Sequence, residues 1–123
     1  MCKFLTRFLA AGLMAVAATS ASAAYPDKPV RLVTTAPPGG TIDFLARTLA
    51  AAMSNELGAQ VVVDNRAGAS GLLGADLVAK APPDGYTVLL TDGASLAINA
   101  AVRKEMPFDA DKDLAPVSLV ATL

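Results

Sequence analysis

Val30-Arg31-Leu32-Val33-Thr34-Thr35-Ala36-Pro37-Pro38-Gly39-Gly40-Thr41-Ile42-Asp43 is the stretch that decides the fold. A β-branched run, Val30 to Thr35, predicts a strand that is apolar on both faces except at Arg31, as a buried parallel strand is. Pro37-Pro38-Gly39-Gly40 ends it in a tight loop. A helical pattern then opens, with Ile42, Leu45, Ala46, Leu49, Met53 and Leu57 on one stripe and Gly58 as the stop. Thr41 is the expected N-cap and Asp43 suits the first turn. Such a strand–loop–helix joint presents backbone N–H groups where the helix dipole is positive, a setting that accepts an anion.

The same unit recurs downstream. Val61-Val62-Val63 predicts a second strand, Gly68-Ala69-Ser70-Gly71 a second loop, and Leu72 to Lys80 a short helix. Pro82-Pro83-Asp84-Gly85 is a turn. Tyr86 to Thr91 predicts a third strand, and Ser95 a cap for a helical stretch from Leu96 to Val102. Pro107 to Asp113 reads as an irregular charged connector, and Val117 onward as a fourth strand. Alternating β and α elements of this kind imply an α/β fold, a parallel sheet with helices on both faces.

The first 23 residues read as a signal peptide. Lys3 and Arg7 form a positive start, Phe8 to Ala18 an apolar core of 11 residues, and Ala21-Ser22-Ala23 a small-residue cleavage site. That core is too short to span a bilayer. Cleavage near Ala23 removes Cys2 and leaves eight basic against eleven acidic residues, a net of −3. The remaining domain, 24–123, is mildly acidic and offers no basic face for nucleic acid. The last residues, Leu119 to Leu123, stop inside an apolar run, which predicts a truncated chain.

The expected mature chain holds neither His nor Cys, so histidine triads, His-containing zinc sites and cysteine nucleophiles are absent from it. Asp43, Asp64, Asp76, Asp84 and Asp92 are spread one per element, with no pair at a spacing that demands joint acid–base work. Gly68-x-x-Gly71-x-x-Gly74 is not a dinucleotide fingerprint, and Gly39-Gly40 lacks the Lys-Ser/Thr of a P-loop. Three loops remain, Pro37 to Thr41, Gly68 to Gly71 and Asp92 to Ser95, all at the carboxyl edge where open parallel sheets bind ligands. None contains Arg or Lys. An anion there is held by N–H groups, hydroxyls and water, which suits a small carboxylate. Taken alone, these glycines also serve simply to turn the chain, and Thr41 and Ser70 to cap helices. Asp43 sets its own negative charge against a bound anion.

The chain resembles the tripartite tricarboxylate transporter receptors, the Bug or TctC-like extracytoplasmic solute receptors. Tyr25-Pro26-Asp27-Lys28-Pro29-Val30-Arg31-Leu32-Val33, then Pro37-Pro38-Gly39-Gly40-x-x-Asp43, carry the likeness. Asn65-Arg66-x-Gly68-Ala69-x-Gly71, Ala79-Lys80-Ala81-x-Pro83-Asp84-Gly85-Tyr86-Thr87, Leu96-Ala97-Ile98-Asn99 and Asp113-Leu114-Ala115-Pro116-Val117-Ser118 continue it. The resemblance implies the first lobe of a type II periplasmic binding protein fold, with the second lobe missing. It implies periplasmic capture of a small organic acid, with no cofactor and no catalysis, and delivery to membrane permease subunits. It places ligand contacts at Pro38, Gly39, Gly40, Thr41 and Asp43, and at Thr91, Ser95 and Ala97. Thr91-Asp92-Gly93 departs from the family pattern and adds a negative charge near the third loop. The alternative from another class is the start of an exported α/β hydrolase or transferase.

Overall fold

The computed structural model describes residues 24–122; the expected signal peptide, 1–23, lies outside them. β1 (Val30–Thr34) is the central strand, with β2 (Val61–Asn65) on one side and β3 (Thr87–Leu90) on the other. Both pairings are parallel. Val30 lies opposite Val61 and Thr34 opposite Asn65, while Arg31 faces Thr87 and Thr34 faces Leu90. All three strands therefore finish at one edge of the sheet, and the loops that follow share it.

Helices cover both faces, as the β-α alternation predicts. α1 (Thr41–Leu57) lays Ala46 and Ala50 against Val30, Leu32 and Val61, with Leu49, Met53, Leu57, Val88 and Leu90 packed around them. α2 (Leu72–Ala79) takes the other face, where Leu72, Ala75 and Phe108 gather Leu89 and Leu96. Covered on both sides, Val30, Leu32, Val33 and Thr34 are all but sealed from water. Each apolar side chain buried in this way stabilises the fold by about 1.5–3 kcal/mol. Arg31, the polar exception in the first strand, is satisfied by its neighbour: its Nε donates to Asp64 Oδ2 at 2.7 Å and its terminal nitrogen bonds the same oxygen.

The element ends depart from expectation in instructive ways. α1 begins one residue early, and its N-cap is Gly40 rather than Thr41, with no side chain capping it. Its far end stops as expected at Gly58, left-handed at φ 65°, whose N–H bonds Ser54 O. Ser54 Oγ also accepts from Val61 N at 2.9 Å, tying that end to the next strand. β2 runs two residues beyond Val63 because β1 still offers Val33 and Thr34 as partners. A 3-10 turn (Ala69–Gly71) precedes α2. α3 (Gly93–Val102) starts before Ser95, capped by Asp92, whose side chain accepts from Ala94 N. The supposed irregular connector contains a short helix, α4 (Ala110–Asp113), capped by Asp109. The fourth strand does not form: residues 117–122 have no strand, and Val117 is 86% exposed. An apolar run without a neighbouring ladder is not held extended by propensity alone.

At the amino-terminal edge of the sheet, two tyrosines form a clasp. Tyr25 Oη donates to Gly85 O at 2.8 Å, and the Tyr25 and Tyr86 rings lie 4.9 Å apart. Lys28 Nζ sits 4.2 Å from the Tyr86 ring centre and 3.2 Å from Asp84 Oδ2. No helix among the described residues is long and apolar enough to cross a membrane.

Candidate functional site

The first loop leaves β1 at Thr35 and enters α1 at Thr41. Gly39 is left-handed at φ 86°, and Gly40 returns to extended backbone. Phe44 N closes the first helical turn on Gly40 O at 3.0 Å. Helix geometry leaves the amides of Thr41, Ile42 and Asp43 without intrahelical acceptors. Pro38, Gly39 and Thr41 are exposed, and Gly40 is half-buried. These four expected contacts thus form one accessible turn.

Asp43 stands differently. It is only 4% exposed and faces inward. Its Oδ2 accepts from Gly39 N at 2.9 Å and from Arg47 Nε at 3.0 Å, and its Oδ1 accepts from Asn65 Nδ2 at 2.8 Å. The Arg47 guanidinium, then the Gly39 amide and the Asn65 carboxamide, hold its carboxyl down to about 2. Asp43 is therefore ionised and committed to internal partners. The bonds its carboxyl makes run to Gly39, Arg47 and Asn65, and they shape the loop from within. Asn65, at the end of β2, also donates to Ala36 O at 3.2 Å, so one carboxamide fixes both ends of the turn.

Thr35 joins the three loops. Its hydroxyl lies 3.0 Å from that of Thr91, linking the first loop to the third. Its side chain also fills the space beside the second: a Cβ on Gly71 would sit 3.3 Å from Thr35 Cβ, and one on Gly74 would sit 3.2 Å from Thr35 Cγ2 and 3.1 Å from Arg66 O. A side chain at either position would push these neighbours back by a few tenths of an ångström, and Gly71 is also left-handed at φ 87°.

In the second loop Ala69 and Ser70 are left-handed, at φ 50° and 57°. Such backbone persists in non-glycine residues only where the surroundings over-determine it. Here the tie is Asn99 of α3, 6% exposed, whose Nδ2 donates to Ser70 O at 3.0 Å and to Ser95 O at 2.8 Å. Arg103 Nε donates to Asn99 Oδ1 and orients the carboxamide.

Of the expected contacts around the third loop, Thr91 is half-buried and bonded to Thr35. Ser95 donates its hydroxyl to Asp92 Oδ2 at 3.0 Å, and Ala97 lies exposed on α3. A groove of about 370 Å³ runs between Ser70 and α3, lined by Ser95, Ile98, Asn99, Val102 and Arg103. A second, about 430 Å³, lies between α1 and β2. Ser95 alone of the expected contacts lines either groove. Thr35, Asn65, Arg47 and Asn99 were missed as site residues. Asparagine at a strand end and in an alanine-rich helix, where its propensity is poor, was the available signal.

A lobe of this kind, a parallel sheet with small polar loops on one edge, is the architecture of ligand-binding α/β proteins. The chain belongs to the tripartite tricarboxylate transporter receptor family, whose model matches residues 45–123. It is 42% identical to BugT of Bordetella pertussis over 106 residues, 85% of this chain and 32% of that protein. Among solved structures it is similar to MatC of Rhodopseudomonas palustris with bound malate. The TM-score is 0.73 at 33% identity, over 78% of this chain and 33% of that one. It is also similar to another R. palustris protein, solved with adipate, with TM-score 0.52 at 48% identity over 53% of this chain and 22% of that one. The chain spans about a third of the length of the curated relatives it matches. Nothing among these relatives supports the hydrolase or transferase alternative.

Proposed function

We propose that this chain is the N-terminal lobe of an exported receptor that captures a small organic acid without transforming it. In this reading residues 1–23 direct export and are removed near Ala23. Residues 24–123 supply one wall of a two-lobed site, and the missing lobe supplies the other. The acid sits at the exposed turn Pro38-Gly39-Gly40-Thr41, on amides that α1 leaves unpaired. Thr91, Ser95 and Ala97 border it from the third loop, and Asp43 shapes the turn from beneath. The carrying observation is that turn, held rigid by an internal carboxylate and a carboxamide, on a lobe similar to proteins solved with malate and adipate. Closure of two lobes on the acid would present a distinct surface to permease subunits in the membrane.

The test is calorimetric titration of malate, adipate and their neutral diamides against the full-length gene product and against residues 24–123. The expected result is saturable binding of at least one diacid to the full-length protein. The diamides should not bind, and the isolated lobe should bind far more weakly. Equal binding of acids and diamides would overturn the carboxylate assignment. Equal affinity in the two proteins would overturn the two-lobed site.

A further inference from the structure

We infer that Arg47 is a specificity-determining residue of the first loop: it touches no ligand, and by cancelling the charge of buried Asp43 it lets the turn accept an anion. This rests on the carboxylate reading above and deepens it. The turn's own attraction for an anion is the exposed start of α1, equivalent to roughly half a positive charge. Directly beneath it lies a whole negative charge on Asp43. The sum of these two repels an anion. Gly39 N–H and Asn65 Nδ2 satisfy the carboxylate's hydrogen bonding, but both are neutral and leave its charge in place.

Arg47 supplies the missing unit charge, one helical turn along α1, with Nε 3.0 Å from Oδ2. With it the balance at the turn returns to roughly half a positive charge. Its terminal nitrogen reaches Asn65 Oδ1 at 3.5 Å, so the carboxamide that bonds Asp43 also steers the guanidinium. Arg31 and Arg66 share Asp64 and exceed its charge by one, but both are turned to that carboxylate, and Arg47 is the guanidinium bonded to Asp43. Asp92, at the third loop, accepts from Ala94 N and Ser95 Oγ and brings no positive charge.

The experiment compares Arg47→Met, Arg47→Lys, Asp43→Asn and the double variant Asp43→Asn/Arg47→Met in the full-length gene product. Two readouts are taken. One is the affinity for malate and adipate at low and high salt. The other is the relaxation of the Gly39, Gly40 and Thr41 amide protons by anionic and cationic nitroxide cosolutes, which reads the local potential with no ligand present.

Arg47→Met is expected to weaken the diacids by about tenfold at low salt and less at high salt. Its amides should shift from favouring the anionic probe to favouring the cationic one. Arg47→Lys retains the charge and should stay within about threefold of wild type. The double variant should recover both affinity and probe preference. If it stays as weak as Arg47→Met, Arg47 acts through its hydrogen bonds and the inference fails. An unchanged probe preference in Arg47→Met also overturns it. If the wild type binds no diacid while the probes behave as described, the carboxylate reading fails and the charge balance stands.

Discussion

The first and second loops leave the same sheet edge, yet they are held by opposite means. The first is tied by charge: an ionised Asp43 gathers Gly39, Arg47 and Asn65. The second is tied by shape and a neutral amide: Asn99 holds Ser70, and Gly71 and Gly74 admit Thr35. Under the function proposed above, the first turn can carry a buried carboxylate only if the charge is matched locally. The second turn has no carboxylate in its tie, and it accepts left-handed strain at Ala69 and Ser70 instead. The contrast separates electrostatic from steric design within one edge.

The largest effect should come from Gly71→Val. It puts a β-branched side chain at φ 87° and against Thr35, and should cost about 2–4 kcal/mol in chemical denaturation. Because Thr35 carries the disturbance onward, Thr91 and Ala36 amide shifts should move as well. Confinement of the change to residues 68–74 would show that the loops are independent.

Asn99→Ala removes the neutral tie and should cost about 1–3 kcal/mol, since the Ser70 and Ser95 carbonyls lose a donor. Hydrogen exchange should rise at the second loop and stay unchanged at Gly39. Thr35→Val keeps the packing and removes the hydroxyl bridge to Thr91, for about 1 kcal/mol. Its effect should be read as a fall in thermal midpoint without loss of the sheet.

Acid gives the finest discrimination. Asp43 titrates at about 2 when folded and near 4 when unfolded, so its contribution is complete above about pH 4 and is lost as pH falls toward 2. The Gly39 amide resonance should follow that loss. The Asn99 tie contains no carboxylate, so the Ser70 and Ser95 contacts should persist further into acid. Simultaneous release of both loops would mean that they share one determinant.

The strand and helix order was legible because Val30 to Thr35 and the Ile42 to Leu57 stripe have unmistakable periods, and Gly58 is a strong stop. Helix starts were less so. Asp92 displaced Ser95 as a cap because an aspartate one turn earlier reaches both Ala94 N and the Ser95 hydroxyl. The bonds of Asp43 to Gly39 and Arg47 span only four residues, but its third partner is supplied by tertiary register. Asn65 is 22 residues away, and only the pairing of Thr34 with Asn65 delivers it. Asn99 meets Ser70 for the same reason, across 29 residues. The fold followed from local pattern, while the wiring beneath the loops required the assembled sheet.

The clasp of Tyr25 and Tyr86 has an optical consequence. These are the chain's two tyrosines, and it has no tryptophan. Tyrosine emission from this chain therefore originates at the sheet edge remote from the Gly39-Gly40 turn. A fluorescence melt would record the release of the amino-terminal strap and Asp84-Gly85 turn, and would be blind to loosening around Gly39. Loop events must be followed with a probe placed there, and a tryptophan introduced at exposed Phe44 would view the first turn of α1 directly.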